Sequence, residues 1–319
     1  MRSAWQKAAT WAGGAAVIAA LSACNATAPG VSGPKTSPTP PPRAAVTPAA
    51  PGPNSEALQT YYTAVQRSLL TQGLLRTDGG GVDVPFTQAM LARNFERIAL
   101  HQEYTASGGR LVAFENASKL TRWEKPVRIS VHFGPTVDGA KRQKDRATLS
   151  RFAARLGRVT GHPISMVSGG GNFRVYVLNE DERRAFGPEL MRIVPGISSA
   201  SQRAVINMPR DTYCLVFARD PSNSGRFDQA VAIIRGEHPD LMRTACIHEE
   251  VAQGLGLSND SPQARPSIFN DDEEFGLLTT HDEMLLRILY DKRLRPGMSA
   301  TEARPIIHRV AHELLGNSA

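Results

Sequence analysis

Between Pro126 and Leu257 the hydrophobic period switches repeatedly between two and about 3.6, and this alternation restricts the fold more than any other feature. "PVRISVHFG" (126–134) alternates apolar and polar residues and predicts a strand. "DGAKRQKDRATLSRFAARLGRVTG" (138–161) has helical spacing and ends at Gly157 or Gly161. "PISMVS" (163–168) and "FRVYVLN" (173–179) predict two strands. The "GGGN" between them lacks the Gly-Lys-Ser/Thr continuation of a phosphate loop and predicts a hairpin turn. "DERRAFGPELMRIV" (181–194) is helical with a break near Gly187-Pro188, and "YCLVFARD" (213–220) and "QAVAIIR" (229–235) are two more strands. "HPDLMRTACIHEEVAQGLGL" (238–257) predicts a helix with Pro239 near its first turn. "THDEMLLRILYDKRL" (280–294) and "TEARPIIHRVAHELLG" (301–316) predict a helical C-terminal part. No internal repeat appears. The fold class expected is α+β: a mixed sheet with one long crossover helix, followed by a helix rich in polar residues.

Two further helices precede this region, "NSEALQTYYTAVQRSLLTQGLL" (54–75) and "PFTQAMLARNFERIALHQEY" (85–104), separated by the loop "TDGGGVDV". The expected organisation is a leader over 1–24, a Pro/Ala-rich linker over 25–54, a helical segment over 55–122 and the main domain over 123–319. Nine of the 22 prolines fall between residues 27 and 54, among Ala, Thr, Ser and Gly. Such a composition cannot bury enough apolar surface to fold and predicts an extended tether.

The leader has Arg2 and Lys7 before a short run of small and apolar residues, too short for a comfortable membrane span, and closes on Leu21-Ser22-Ala23-Cys24. This resembles the lipobox of bacterial lipoproteins, which implies that Cys24 is lipidated and becomes the first mature residue. Each buried acyl methylene adds roughly 0.8 kcal/mol to anchoring. The expected location is a bacterial membrane surface facing the periplasm. Asn25, in place of an aspartate after the cysteine, favours the outer membrane. Without the leader the net charge drops from +7 to +5, with no lysine-rich tract and so no nucleic-acid footprint. Two cysteines then remain, Cys214 and Cys246. In an oxidising compartment an even pair reads as a disulfide; two buried free thiols is the other reading.

"IHEEVAQGLGLSND" (247–260) has the rhythm of a zinc-protease helix. Such a helix reads His-Glu-x-x-His: two histidines four apart share a face and bind zinc, and the glutamate activates water. Aligning His248-Glu249 puts Ala252, which has no ligand atom, at the second ligand place. Aligning Glu249-Glu250 keeps the base as Glu250, puts Gln253 at the second ligand place, Gly256 at the turn and Asn259 at the third, with Asp260 beside it. This second register keeps all the spacing and is preferred. Carboxylate and amide oxygens hold zinc weakly, so no tightly bound zinc or other cofactor is expected. A solvated polar face is the plainer reading of the same residues.

"EEVAQGLGLSND" (249–260), "SIFND" (267–271) and "LLRILYDKRLRPGM" (285–298) together resemble a family of bacterial lipoproteins, domain-of-unknown-function family 2927, over roughly residues 125–315. The resemblance implies a zincin-like, metzincin-like fold with a degenerate metal motif, Glu-Glu-x-x-Gln matched by Glu249, Glu250 and Gln253. It implies no activity. Met298 would then stand where metzincins have their Met-turn. Elsewhere, His281 beside Asp282 is a helix-start residue with a lesser claim as a ligand. His308 and His312 are spaced i, i+4 on what reads as an exposed stripe, and Asp271, Asp272, Glu273 and Glu274 read as a solvated loop lacking an EF-hand's alternation.

The expected function is that of a lipid-anchored envelope protein. Its zincin-like domain lacks peptidase activity and binds a protein, peptide or wall fragment in a cleft lined by His248, Glu249, Glu250, Gln253, Asn259 and Asp260. The alternative is a hydrolase with Glu250 as general base and zinc or another divalent metal, helped by His248 or His281. A purely structural envelope protein is the third reading.

Overall fold

In a computed structural model that describes residues 50–107 and 110–316, the central sheet has five strands in the order β5-β4-β6-β9-β7. In chain order the elements are α1 (Pro53–Thr71), α2 (Gln88–Ala99), β1 (His101–Ser107), β2 (Arg110–Ala117), β3 (Arg122–Trp123), β4 (Val127–Phe133) and α3 (Gly139–Thr160). Next come β5 (Ile164–Met166), β6 (Phe173–Leu178), α4 (Glu180–Arg184), α5 (Gly187–Ile193), α6 (Ser199–Ile206), β7 (Cys214–Arg219), β8 (Arg226–Phe227) and β9 (Gln229–Arg235). The chain continues through α7 (Asp240–Gln253), α8 (Thr280–Leu289) and α9 (Ala300–Gly316). The mixed sheet and the helical C-terminal part make this an α+β fold. The proposed leader, Cys24 and the linker up to residue 49 lie outside the described residues.

β4, β5, β6 and β9 run parallel, and β7 is antiparallel to β9 at the edge. Register follows the apolar pattern. Ile129 pairs Phe173, Val175 pairs Ala232, and Val216 pairs Ala232 from the other side, so all face one layer. That layer holds the main core beneath α3 and α7. The alternate residues Tyr176, Val231, Ile233, Leu215 and Phe217 face α5 and α6, packing with Leu190 and Val205. β6 and β9 are buried on both faces, which is why they read as near-continuous apolar runs.

α3 is the expected crossover helix. Asp138 caps it by accepting from Ala140 N and Lys141 N, and Gly161 at φ 65° ends it. Leu149, Phe152, Ala153 and Leu156, at helical spacing, turn into the core. α2 places Leu91, Phe95 and Ile98 in the same core, and the described residues form one compact unit.

Two expectations fail here. The Gly-rich segment 169–172 is not a hairpin turn, because β5 and β6 lie on opposite sides of β4 and both run parallel to it. The segment instead crosses β4 closely. A Cβ on Gly171 would sit 2.5 Å from Arg128 O, and the Asn172 side chain continues the ladder by accepting from Arg128 N and donating to Pro126 O. The second helix also stops at Ala99, and residues 101–104 belong to β1, which pairs antiparallel with β2. The partner is the next strand along the chain, and the sequence signal is Gly108-Gly109 between two runs of strand-forming residues. α6, whose cap Ser198 accepts from Ser201 N, was also not anticipated.

Candidate functional site

α7 runs beneath the edge strand, and its polar face is set by helical spacing. Cys246, Glu249, Glu250 and Gln253 lie three or four apart and share one side of the helix. Cys246 is joined to Cys214 on β7 by a disulfide with Cα atoms 5.9 Å apart, as the even cysteine pair suggested. The bond clamps the site helix to the edge strand. Cys214 Sγ lies 3.9 Å from Glu249 Oε2, and ligand-type atoms of Cys214, Glu249 and Glu250 all fall within 4.8 Å of one another.

The helix ends abruptly. Trp123 Nε1 donates to Gly254 O, and Gly256 takes φ 129° where a Cβ would lie 2.2 Å from Thr121 O. Only glycine fits that approach. After the turn, Asp260 reaches back to accept from Gln253 Nε2 at 3.1 and 3.2 Å.

The electrostatics are one-sided. Burial pushes the Glu249 carboxyl well above the usual carboxylate range, and Glu250, Asp260, Glu273 and Asp271 push it further in the same direction. Burial likewise raises Glu273, helped by Asp271 and Asp272, and raises Asp271, helped by Asp272. These last two come from the connection between α7 and α8, where Asp271 and Glu273 hold left-handed backbone at φ 61° and 58°. Leu75 N and Arg76 N pin that turn by donating to Glu273 O and Glu274 O. The acidic run is therefore split. Glu274 pairs with Arg76 and Arg265, while Asp271 and Glu273 add negative potential at Glu249. Nothing in the local pattern of residues 271–274 announced this; it depends on where the turn is fastened.

The structure brings Glu249, Glu250, Gln253 and Asp260 together and separates two other expected cleft residues from them. His248 is a core residue. Its ring stacks on Phe152 (centroids 4.0 Å, planes 4° apart), and Nδ1 accepts from Leu278 N at 3.1 Å. Burial, with Arg155, depresses its pKa to about 3, so it packs as a neutral ring. The reason is rotational: it shares a helix face with buried Ala252, not with Glu249. Asn259 is 2% exposed and turns away to bind the end of α2, donating from Nδ2 to Arg97 O and from its backbone N to Ile98 O.

The residues do not fit a zincin zinc. No imidazole stands on the Glu249 face, Asn259 is committed to α2, and the Gln253 amide is committed to Asp260. His238 Nδ1 lies 3.8 Å from the Cys246 sulfur and is not among the ligand atoms clustered at Glu249. His281 is buried between α2 and α8 with Nε2 3.1 Å from Asn94 Nδ2, and His308 sits 3.6 Å from Glu96 on exposed α9. Met298 is packed in the main core, its sulfur 3.4 Å from Arg295 N.

Residues 88–309 match the profile of the family described as "Protein of unknown function (DUF2927)". The chain belongs to that family. The match takes in the whole central sheet, the site helix and most of α9, so the DUF2927 domain begins with α2 and includes the β1–β2 hairpin. Comparison with curated proteins and with solved structures returned no match.

Proposed function

We propose that this DUF2927 protein is a lipid-anchored envelope protein whose zincin-like domain binds extended peptide segments without cleaving them. The observation that carries the reading is the outer edge of β7. Among the described residues β7 pairs only with β9, and Cys214, its first residue, lies beside Glu249 and Glu250 of α7. A sheet edge recognises an extended chain through main-chain hydrogen bonds, and pockets beside it select side chains. Here the neighbouring groups are Glu249, Glu250, Asp260, Asp271 and Glu273, so the preferred segment carries lysine or arginine. A crossover helix, a parallel sheet with one antiparallel edge, and a site helix beneath that edge support the zincin-like reading. The leader ending in Leu21-Ser22-Ala23-Cys24 supports the anchor, the periplasm-facing location and the preference for the outer membrane.

The test uses fluorescence anisotropy with labelled extended decapeptides that differ only in net charge. Cationic peptides should bind at least ~10-fold more tightly than acidic ones at low salt. Raising ionic strength to about 0.5 M should remove most of that preference. Equal affinity for both charges, or a preference unchanged in Glu249→Gln, defeats the reading. The purified oxidised protein is expected to carry no stoichiometric zinc; finding it by elemental analysis would favour a metal-assisted hydrolase with Glu250 as general base.

A further inference from the structure

The clamp between α7 and β7 is asymmetric, and each of its sulfurs has its own polar neighbour. Cys214 is partly exposed on the edge strand, whereas Cys246 is 3% exposed in the core. Glu249 Oε2 lies 3.9 Å from Cys214 Sγ, and His238 Nδ1 lies 3.8 Å from Cys246 Sγ. A disulfide sulfur carries no hydrogen, so a hydrogen bond at either contact is donated by the neighbour. Burial keeps both neighbours uncharged. It holds the proton on the Glu249 carboxyl and, with Arg235, Arg243 and Lys141, holds His238 well below its ordinary value. His238 Nε2 has no hydrogen-bond partner, and a proton there would be a buried orphan donor. The ring proton therefore belongs on Nδ1, beside the Cys246 sulfur.

We propose that the Cys214–Cys246 bond is a redox couple that exchanges with dithiols, with Cys214 as the sulfur attacked and Cys246 as the sulfur that leaves. A thiolate of the dithiol attacks Cys214 Sγ, the S–S bond breaks, and a mixed disulfide forms on Cys214. Cys246 leaves as a thiolate that accepts a hydrogen bond from His238 Nδ1 and then takes a proton from solvent. A leaving thiolate of lowered basicity departs faster. The second thiol of the dithiol gives its proton to solvent and attacks the dithiol's own bonded sulfur. Cys214 leaves and takes the proton of the Glu249 carboxyl, which solvent replaces. Two electrons pass to the protein, two protein thiols form, and the dithiol ends as its own disulfide.

Each participant is held independently of the bond that breaks. Cys214 sits in the ladder opposite Ile234. α7 is fastened by Arg243, which donates to Asp145, Asp240 and His238 O. Tyr62 and Tyr213 pack edge-on against the His238 ring, with centroids 4.4 and 5.7 Å away. The sulfurs can part by side-chain rotation while the backbones remain in place.

The experiment uses the full chain carrying Cys24→Ser without oxygen, with dithiothreitol as the dithiol and glutathione as a monothiol that stops at the mixed disulfide. Reduction of the folded protein should be first order in dithiothreitol and unchanged up to about 1 M urea, whereas a bond opened only by unfolding would react ~10-fold or more faster per molar urea. Peptide mapping after an acid quench should place the glutathione adduct on Cys214. His238→Leu should slow adduct formation ~10-fold, and His238→Asn, which keeps an N–H, should restore most of the rate. Glu249→Gln, which cannot give up a proton, should slow release of Cys214 from the mixed disulfide ~10-fold. The proposal falls if reduction follows urea, if the adduct sits on Cys246, or if His238→Asn is as slow as His238→Leu, which would make the ring packing alone. Should His238→Leu fail to fold, the urea dependence and the adduct position in the parent decide. Exchange is read without peptide, so its outcome is separate from that of peptide binding.

Discussion

Two buried charge clusters within this domain follow opposite rules. Below α1, Glu180 is surrounded by arginines. It accepts from Arg183, Arg184 and Arg235, and Arg235 also donates to Met208 O, Pro209 O and Thr212 O. Burial alone would raise the Glu180 carboxyl, yet the three guanidiniums outweigh it and hold the group below its ordinary value. Around Glu249 burial drives the carboxyl upward, and the leading charges that act on it, Glu250, Asp260, Glu273 and Asp271, are carboxylates that drive it further. The first cluster is an internally compensated support joining α4, β9 and the segment before β7. The second is a concentration of like charge beside Cys214 at the start of the edge strand, which costs folding stability. Unfavourable electrostatics kept in one place while similar groups are neutralised nearby fits the proposed peptide site.

The sharpest way to break this contrast is to unpair the compensated cluster. Arg235→Ala leaves Glu180 buried with fewer partners and should cost about 3–5 kcal/mol in urea denaturation at neutral pH. A loss below about 1 kcal/mol would mean that the pairing holds little together. A smaller effect is expected at the neutral core histidine. The folded pKa of His248 is about 3 against 6.5 unfolded, so the folded state resists a proton that the unfolded chain accepts. Stability associated with this group is full above pH 6.5 and is lost as pH falls from there towards about 3. His248→Gln keeps an acceptor for Leu278 N but loses the stack on Phe152. It should cost about 1–2 kcal/mol at pH 7 and make the fall in melting temperature between pH 6.5 and 4 shallower. An unchanged acid limb would show that other groups set it.

The smallest change has the opposite sign. The folded pKa of Glu249 is raised, so its contribution is fully present below the ordinary value near 4.5 and is lost as pH rises through the folded value. Glu249→Gln should therefore raise the melting temperature of the oxidised protein at pH 7–8, with the gain vanishing near pH 4. Destabilisation at pH 8 would show that Glu249 is compensated after all and would erase the difference between the two clusters.

Local pattern carried much of the architecture. The long strands, the crossover helix and α7 were legible because apolar residues alternate in "PVRISVHFG" and recur at helical spacing in Leu149, Phe152, Ala153 and Leu156, both direct consequences of burying one face. The Glu249-Glu250-x-x-Gln253 face was legible for the same reason, as was the even cysteine pair. The β1–β2 hairpin was not, because residues 101–104 become a strand only through a partner after Gly109. The Gly169–Gly171 run predicts a turn along the chain, because a glycine run that reverses direction and one that passes close to another strand have the same local pattern.

What the amino-acid order determined by itself was the inventory: period, caps, breakers, and a helix bearing two carboxylates, an amide and a cysteine. Tertiary structure alone decided which of those groups meet. It turned His248 into the core and Asn259 onto α2, and it fastened the 271–274 turn so that Asp271 and Glu273 add to the field at Glu249. It also set His238 against the disulfide. Side-chain rotation about a helix axis and the anchoring of distant loops depend on packing between segments far apart in the chain, and spacing along the chain does not record that.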